Sequence, residues 1–201
     1  SEVVSMQHDF ERVKEAVMDA LEARRIYMVN ERELDEGQLT FVQAFFTKTL
    51  LPELDPILFV DGAPIPVLND ESLYLGVDIT SGKEYRVAVV EVPTDRLNRF
   101  LEVPRRKGQS GRFFISLDNA IRACLPQMFR GVIPIDSAQA FCFKFSRDAE
   151  IELDVGIMES LIEKMASSLK QRKKADAVRF VYDAEMPKRL LAFPVGRSSL
   201  G

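Results

Sequence analysis

The sequence predicts an α+β fold, a single domain with a mixed β-sheet and packed helices. Two kinds of apolar periodicity support it. Residues from Leu73 to Thr80 alternate apolar and polar side chains with the period of a strand, whereas apolar residues from Phe10 to Leu21 recur at helical spacing. The helical and strand segments do not alternate regularly, which argues against a doubly wound sheet. With 201 residues, 46% of them hydrophobic, the chain is long enough to bury a substantial core.

Four helices are predicted from periodicity and from end signals. The second has the clearest ends, because Asp35 can cap it with Gln38 three residues later, as in a capping box, and Pro52 stops it. The predicted helices cover residues 9–25, 35–51, a segment after Ser116 that bends at Pro126, and 158–169.

A β-hairpin is the most strongly marked local structure. The alternating segment from Leu73 meets a turn at residues 81–83, and an apolar strand returns from Tyr85 to Val92. A glycine-containing stretch, residues 99–112, is predicted to be a loop. The other predicted strands cover residues 26–29, 57–60, 113–115, 141–146 with an extension to Leu153, and 178–182.

Composition excludes several classes of protein. The net charge of -4 argues against a surface that is basic throughout, so contacts with a polyanion must come from local clusters. Two cysteines suit a reduced protein better than a disulfide scaffold, and no segment is apolar enough to span a membrane. We expect a flexible segment over 1–9, a folded domain over 10–187 and a tail over 188–201.

No catalytic or metal-binding constellation is predicted. His8 is the sole histidine and lies near the terminus, so a serine or cysteine nucleophile has no well-placed base. Gly108 and Gly111 lack the Lys-Ser/Thr that completes a phosphate-binding loop. The acids from Asp148 to Asp154 alternate with apolar residues, which indicates the solvated face of a strand.

Basic clusters are the remaining candidates for phosphate contact. Arginine and lysine side chains in a loop can surround phosphate oxygens, whereas cations at a helix end are also favoured by the helix dipole alone. A purely solvated surface is the alternative for each cluster, and a structural ion pair with Asp148 or Glu150 is the alternative for Arg147. The phosphate-contact candidates are Arg105, Arg106, Lys107, Arg147, Lys170 and Arg172.

A series of short motifs, in order and at consistent spacing from about residue 10 to 187, resembles a known family. The motifs are IYMVNER (26–32), DPIL (55–58), VEVP (90–93), LDN (117–119), FRG (129–131), SRDAE (146–150) and the run over 167–187. Together they resemble the middle, or head, domain of bacterial polyphosphate kinases.

The resemblance implies a function for a longer protein. That family transfers the terminal phosphate of ATP to polyphosphate, reversibly and with magnesium, through a phosphohistidine in domains that follow the head. The head is expected to be a scaffold with dimer contacts in a cytoplasmic enzyme, with peripheral contact to the inner membrane left open. We expect no cofactor in this fragment and no activity from it alone. The alternatives are a stand-alone interaction module with the same fold and, less favoured by the acidic composition, a small nucleic-acid binder.

Overall fold

The computed structural model describes residues 2–59, 68–69, 72–147, 178–188 and 190, and it describes the side chains of these residues except 2–9, 11, 145–147 and 178–180. In chain order the elements are α1 (Glu2–Ala23), β1 (Ile26–Val29), α2 (Glu36–Phe45), a π-helix (Phe46–Leu50), a 3₁₀ turn (Leu51–Glu53), β2 (Ile57–Leu58), β3 (Leu73–Ser81), β4 (Glu84–Glu91), β5 (Phe100–Val103), β6 (Arg112–Ser116), α3 (Leu117–Ala123), α4 (Leu125–Met128), β7 (Ser137–Arg147) and β8 (Val178–Tyr182). The mixture of helices and strands confirms the α+β class. The predicted helix over 158–169 lies outside the described residues.

The chain divides into two compact units, one formed by Ser1–Pro52 with Asp95–Cys124 and the other by Glu53–Thr94 with Leu125–Gly201. Each unit has its own sheet. The three-stranded sheet of the first unit has the order β1-β6-β5, and the five-stranded sheet of the second has the order β2-β4-β3-β7-β8. The strands are thus distributed over two sheets, whereas the sequence predicts one.

The sheet of the first unit is the mixed one. β1 and β6 run parallel, with Tyr27 opposite Phe113, whereas β5 and β6 run antiparallel. The prediction that residues 99–112 form a loop is wrong in part, because Phe100–Val103 is a strand. Four residues give too short a pattern to reveal a period, and this strand forms because β6 offers it an unpaired edge.

The second helix begins as its sequence predicts. Asp35 Oδ1 accepts a hydrogen bond from the Gln38 backbone N–H at 2.8 Å, and Gln38 Oε1 accepts from the Asp35 N–H at 3.3 Å, which completes the capping box. The helix does not remain α-helical to Leu51, because it changes to a π-helix at Phe46. Gln38 is fully buried, although glutamine usually lies at the surface.

The helix after Ser116 is divided into α3 and α4. Ser116 has the extended backbone of an N-cap, but its side chain makes no capping hydrogen bond. The predicted bend at Pro126 appears as a break at Cys124, whose φ of -118° lies outside the helical region. A proline leaves the carbonyl one turn earlier without a helical donor, which explains why the break precedes it.

The first helix leaves apolar side chains in solvent. It begins at Glu2, earlier than predicted, and its apolar positions do repeat at helical spacing. However, Phe10, Val13 and Val17 are 66%, 58% and 52% exposed, and only Leu21 at the end of the series is half-buried. A contiguous apolar stripe of this kind is typical of a surface that another part of a protein covers.

The second unit is built around the predicted hairpin, which is confirmed. β3 and β4 pair antiparallel with Val77 opposite Ala88, and Gly82 turns the chain with a φ of +58°. Both faces of β3 are buried, so the polar positions of the alternating pattern do not mark a solvated face. Tyr74 is 2% exposed and Asp78 is 4% exposed.

Neither cysteine forms a disulfide. Cys124 is buried and Cys142 is half-buried, and both are free thiols. Burial raises the pKa of the Cys124 thiol to about 11, so this group stays protonated at neutral pH and is a poor nucleophile. The thiol therefore belongs to the core of the first unit.

Candidate functional site

The connection between β5 and β6, residues 104–111, carries three of the predicted phosphate contacts, and we refer to it as the basic loop. Its backbone is shaped by Gly108 and Gly111, which have φ values of +77° and +133°. The Gln109 N–H donates to the Arg106 carbonyl at 3.1 Å, which closes a turn. The backbone of the loop therefore has a defined shape. Its three consecutive cations point in different directions, as their contacts show.

Arg106 is directed toward the protein. Its Nε donates to Gln38 Oε1 at 3.3 Å and its Nη2 donates to the Glu33 carbonyl oxygen. Its guanidinium carbon lies 5.3 Å from the centre of the Phe113 ring, a distance typical of a cation–π contact. These contacts hold a planar cation over an aromatic ring between two acceptors.

Gln38 connects this arginine to the start of α2. Its side-chain oxygen accepts from Asp35 and Arg106, while its Nε2 donates to the Pro104 carbonyl at 2.9 Å. The side chain is buried, so each of these bonds replaces one that water would otherwise make. The sequence identifies Gln38 only as a capping residue. Its partners lie 66 and 68 positions away, and no local pattern could indicate them.

Arg105 and Lys107 are directed toward solvent. Both are exposed, and neither has a hydrogen bond or an ion pair with another residue in the described part of the chain. Their positions on either side of Arg106 place two cations at the outer surface of the basic loop. Among the predicted contacts whose side chains the structure describes, these two are available to a ligand.

Arg112, which flanks the cluster, is occupied by an ion pair. Its Nε and Nη2 bind the two carboxylate oxygens of Glu102 at 2.8 and 2.7 Å, a bidentate geometry. The hydrogen bond from Arg112 lowers the pKa of the Glu102 carboxyl, and the positive charge of Arg105 contributes to the same shift. Arg112 thus stabilises β5 against β6, whereas Arg99 at the other flank is exposed.

A cleft of about 440 Å³ lies beside the basic loop within the first unit. Its lining is mixed, with acidic, basic, amide and hydroxyl groups beside apolar and aromatic side chains. The lining residues are Glu22, Tyr27, Met28, Val29, Glu33, Arg106, Gln109, Ser110 and Phe113. Two hydrogen bonds connect the end of the loop to Arg25, because the Arg25 Nη1 donates to Ser110 Oγ at 3.4 Å and the Arg112 N–H donates to the Arg25 carbonyl at 2.8 Å.

The remaining predicted contacts are not brought to this site by any described contact. Arg147 is the last residue of β7, in the second unit, and its side chain is not among those that the structure describes. Lys170 and Arg172 lie outside the described residues altogether. These three candidates therefore remain predictions.

Within the described ranges, no group of three or more histidine, cysteine or acidic side chains could hold a metal ion. The His8 side chain is not among those described. The same ranges contain no helix with the length and apolarity that crossing a membrane requires.

Comparison with known proteins shows the family to which a chain with this fold and this basic loop belongs. The family model described as the polyphosphate kinase middle domain matches residues 37–199. Polyphosphate kinase of Vibrio cholerae serotype O1 is 40% identical over 194 residues, which is 96% of this chain and 28% of that protein. The Escherichia coli K12 polyphosphate kinase is 34% identical over 192 residues, 95% of this chain and 28% of that protein.

The fold is also found in a solved structure. The crystal structure of polyphosphate kinase from Porphyromonas gingivalis aligns with a TM-score of 0.69 and 20% identity, covering 96% of this chain and 27% of that one. The chain belongs to the polyphosphate kinase family, and it corresponds to the middle domain. It spans about 28% of the length of the curated relatives that it matches.

Proposed function

We propose that the chain is the middle domain of an enzyme that transfers the terminal phosphate of ATP to polyphosphate, reversibly and with magnesium. The observation that carries the proposal is the match of the middle-domain family model over residues 37–199. Under this proposal the phosphohistidine of the reaction lies in domains outside the present chain. The domain itself acts as a scaffold, and the enzyme is cytoplasmic and dimeric under this proposal.

The basic loop supports a direct contribution to the polyphosphate path. Polyphosphate is a flexible polyanion, and it is held by cations that are exposed and close together. At physiological salt the Debye length is about 8 Å, so isolated cations contribute little. Arg105 and Lys107 meet this requirement because they project from one loop whose shape is held by internal contacts.

The exposed stripe of α1 supports packing against the remaining domains of the kinase. Its three apolar side chains, Phe10, Val13 and Val17, are more than half exposed. The relatives have more than two thirds of their length outside the region that this chain matches, which provides ample surface to cover the stripe. The exposed apolar stripe also favours the alternative, an interaction module without kinase activity.

We expect the isolated chain to be inactive. Incubation with γ-labelled ATP and magnesium should leave it unlabelled and should produce no elongated polyphosphate, because its sole histidine is His8 near the terminus. The full-length protein is the positive control. Stoichiometric acid-labile label on the isolated chain would contradict the assignment of the phosphohistidine to other domains. No turnover by the full-length protein would favour the interaction module.

We expect the isolated chain to bind polyphosphate weakly and with a strong salt dependence. In the double variant Arg105→Ala with Lys107→Ala, affinity at 50 mM salt should fall about thirtyfold, because each cation near an anionic surface contributes roughly 1 kcal/mol. The slope of log K against log salt should decrease by about 0.7 for each phosphate group that the variant no longer neutralises. Fluorescence anisotropy with labelled polyphosphate measures both quantities.

The matched control removes the same two residue types elsewhere. Lys83 and Arg130 are exposed in the second unit, so Lys83→Ala with Arg130→Ala changes the net charge equally. This control should reduce affinity by no more than about twofold, since these cations are not clustered with the basic loop in the sequence. Equal losses from the two double variants would show that binding depends on net charge and would refute the loop site.

A further inference from the structure

The three consecutive cations of the basic loop are not equivalent. Arg105 and Lys107 are exposed, whereas Arg106 is half-buried and directs its guanidinium onto Phe113. Two of its donors are already used, by Gln38 Oε1 and by the Glu33 carbonyl. The middle cation is thus committed to the protein, and the outer two are not.

Gln38 is the partner that Arg106 contacts on α2, and the donor and acceptor of its buried amide are both used. It reaches the basic loop at two points, the Pro104 carbonyl at the loop's beginning and the Arg106 side chain two residues later. It also belongs to the N-terminal turn of α2 through the capping box. One rigid helix start therefore holds the segment from which Arg105 projects.

We propose that Gln38 and Arg106 form a clamp that positions Arg105 and Lys107 for the polyanion. Arg106 then acts as a positioning residue, not as a phosphate contact, and Gln38 acts through it. This inference rests on the proposed contact between the basic loop and polyphosphate, and it assigns different roles to residues that the sequence treats alike.

The chemistry of arginine makes the clamp testable. The planar guanidinium donates from Nε and Nη2 in fixed directions while its face lies on an aromatic ring. A lysine ammonium keeps the charge but has one nitrogen, so it reproduces neither the fork nor the stacking. A phosphate contact at an exposed position, in contrast, tolerates exchange of arginine for lysine because the charge is kept.

The experiment compares Arg106→Lys with Arg105→Lys in the 201-residue chain, two variants of identical net charge. We expect Arg105→Lys to bind polyphosphate within about twofold of the parent and Arg106→Lys to bind about tenfold more weakly. We also expect at least tenfold faster amide hydrogen exchange in the basic loop for Arg106→Lys, most clearly at Gln109, whose N–H donates to Arg106. Arg105→Lys should leave exchange unchanged.

A third variant removes the clamp without changing any charge. Gln38→Met keeps the length of the side chain but has no amide, so it should reproduce both effects of Arg106→Lys. Circular dichroism and exchange in β1, which belongs to the same unit as Gln38 and the basic loop, report whether a variant is folded. If Gln38→Met does not fold, Gln38→Glu replaces it. This variant retains the acceptors for Asp35 and Arg106, loses the donor to Pro104 and adds one negative charge, which the Pro104 carbonyl oxygen repels. Loop exchange should therefore still increase, and binding is not compared for this variant.

The two readouts separate the clamp from the proposed function. Unchanged loop exchange in Arg106→Lys and Gln38→Met overturns the clamp, whatever the binding result. Equal affinity losses for Arg105→Lys and Arg106→Lys with unchanged exchange make Arg106 a contact residue, which also overturns it. If the parent chain does not bind polyphosphate, the proposed function of the loop fails, while faster exchange in the variants still supports the clamp.

Discussion

Gly111→Ala is expected to lower the free energy of unfolding of the first unit by about 2 to 6 kcal/mol. Two independent costs combine at this position. Its φ of +133° lies in a region that side-chain-bearing residues rarely adopt, at a cost of about 1 to 3 kcal/mol. A Cβ atom would also lie 2.6 Å from the Arg25 carbonyl oxygen and 2.7 Å from the Tyr27 ring, and such overpacking costs about 1 to 3 kcal/mol.

The second glycine of the basic loop provides the control. Gly108 has a φ of +77°, but beyond its two chain neighbours no residue has an atom within 4 Å of the Cβ position. Gly108→Ala therefore has only the backbone cost of roughly 1 to 2 kcal/mol. Urea unfolding followed by circular dichroism measures both variants. Exchange at the Arg112 N–H, which donates to Arg25 at 2.8 Å, tests whether the close approach persists. Equal destabilisation by the two alanines would contradict the steric argument.

The predictable part of the fold is the part with long periodic segments. The hairpin of β3 and β4 and the capping box of α2 are both confirmed, because each is determined by residues close together in the sequence. The strand β5 is not predicted, because it is short and depends on its partner β6. The division of strands into two sheets depends on pairings across tens of residues, which periodicity does not encode.

The basic loop shows the same limit at the level of side chains. Three adjacent cations are visible in the sequence, and the glycines that follow them indicate a turn. The different direction of Arg106 is determined by Gln38 and Phe113, which come from α2 and β6. The presence of a cluster of cations is therefore predictable from sequence, but the role of each cation depends on tertiary contacts.

Burial of β3 illustrates why alternation is an incomplete guide. Tyr74, Gly76 and Asp78 occupy the positions that an alternating strand would expose, yet this face is covered as well. Tyr74 belongs to an apolar cluster with Phe143 and Leu190, and its ring lies 5.4 Å from that of Phe143. Because a tyrosine is amphipathic, its position in the pattern does not distinguish a solvated face from a second packed one.

The other large effect is expected from Phe113→Ala, which should cost about 3 to 5 kcal/mol of unfolding free energy, the usual range for truncation of a buried phenylalanine. Phe113 is 2% exposed at the centre of the β1-β6-β5 sheet. Its ring stacks on Tyr27 with centroids 4.9 Å apart, and the guanidinium of Arg106 lies over it. The alanine removes the apolar volume together with both ring contacts.

The neighbouring phenylalanine supplies a matched control on the other face of the same strand. Phe114 is half-buried and carries the Arg112 guanidinium carbon 5.0 Å from its ring centre. Phe114→Ala should cost about 1 kcal/mol, because it leaves no enclosed cavity. Urea unfolding ranks the two variants, and hydrogen exchange in the basic loop should increase for Phe113→Ala only. Similar losses of unfolding free energy in both variants would contradict the expected cost of truncating the buried ring. Because Arg106 rests on Phe113, unchanged exchange in the basic loop of Phe113→Ala would mean that the ring does not support this loop.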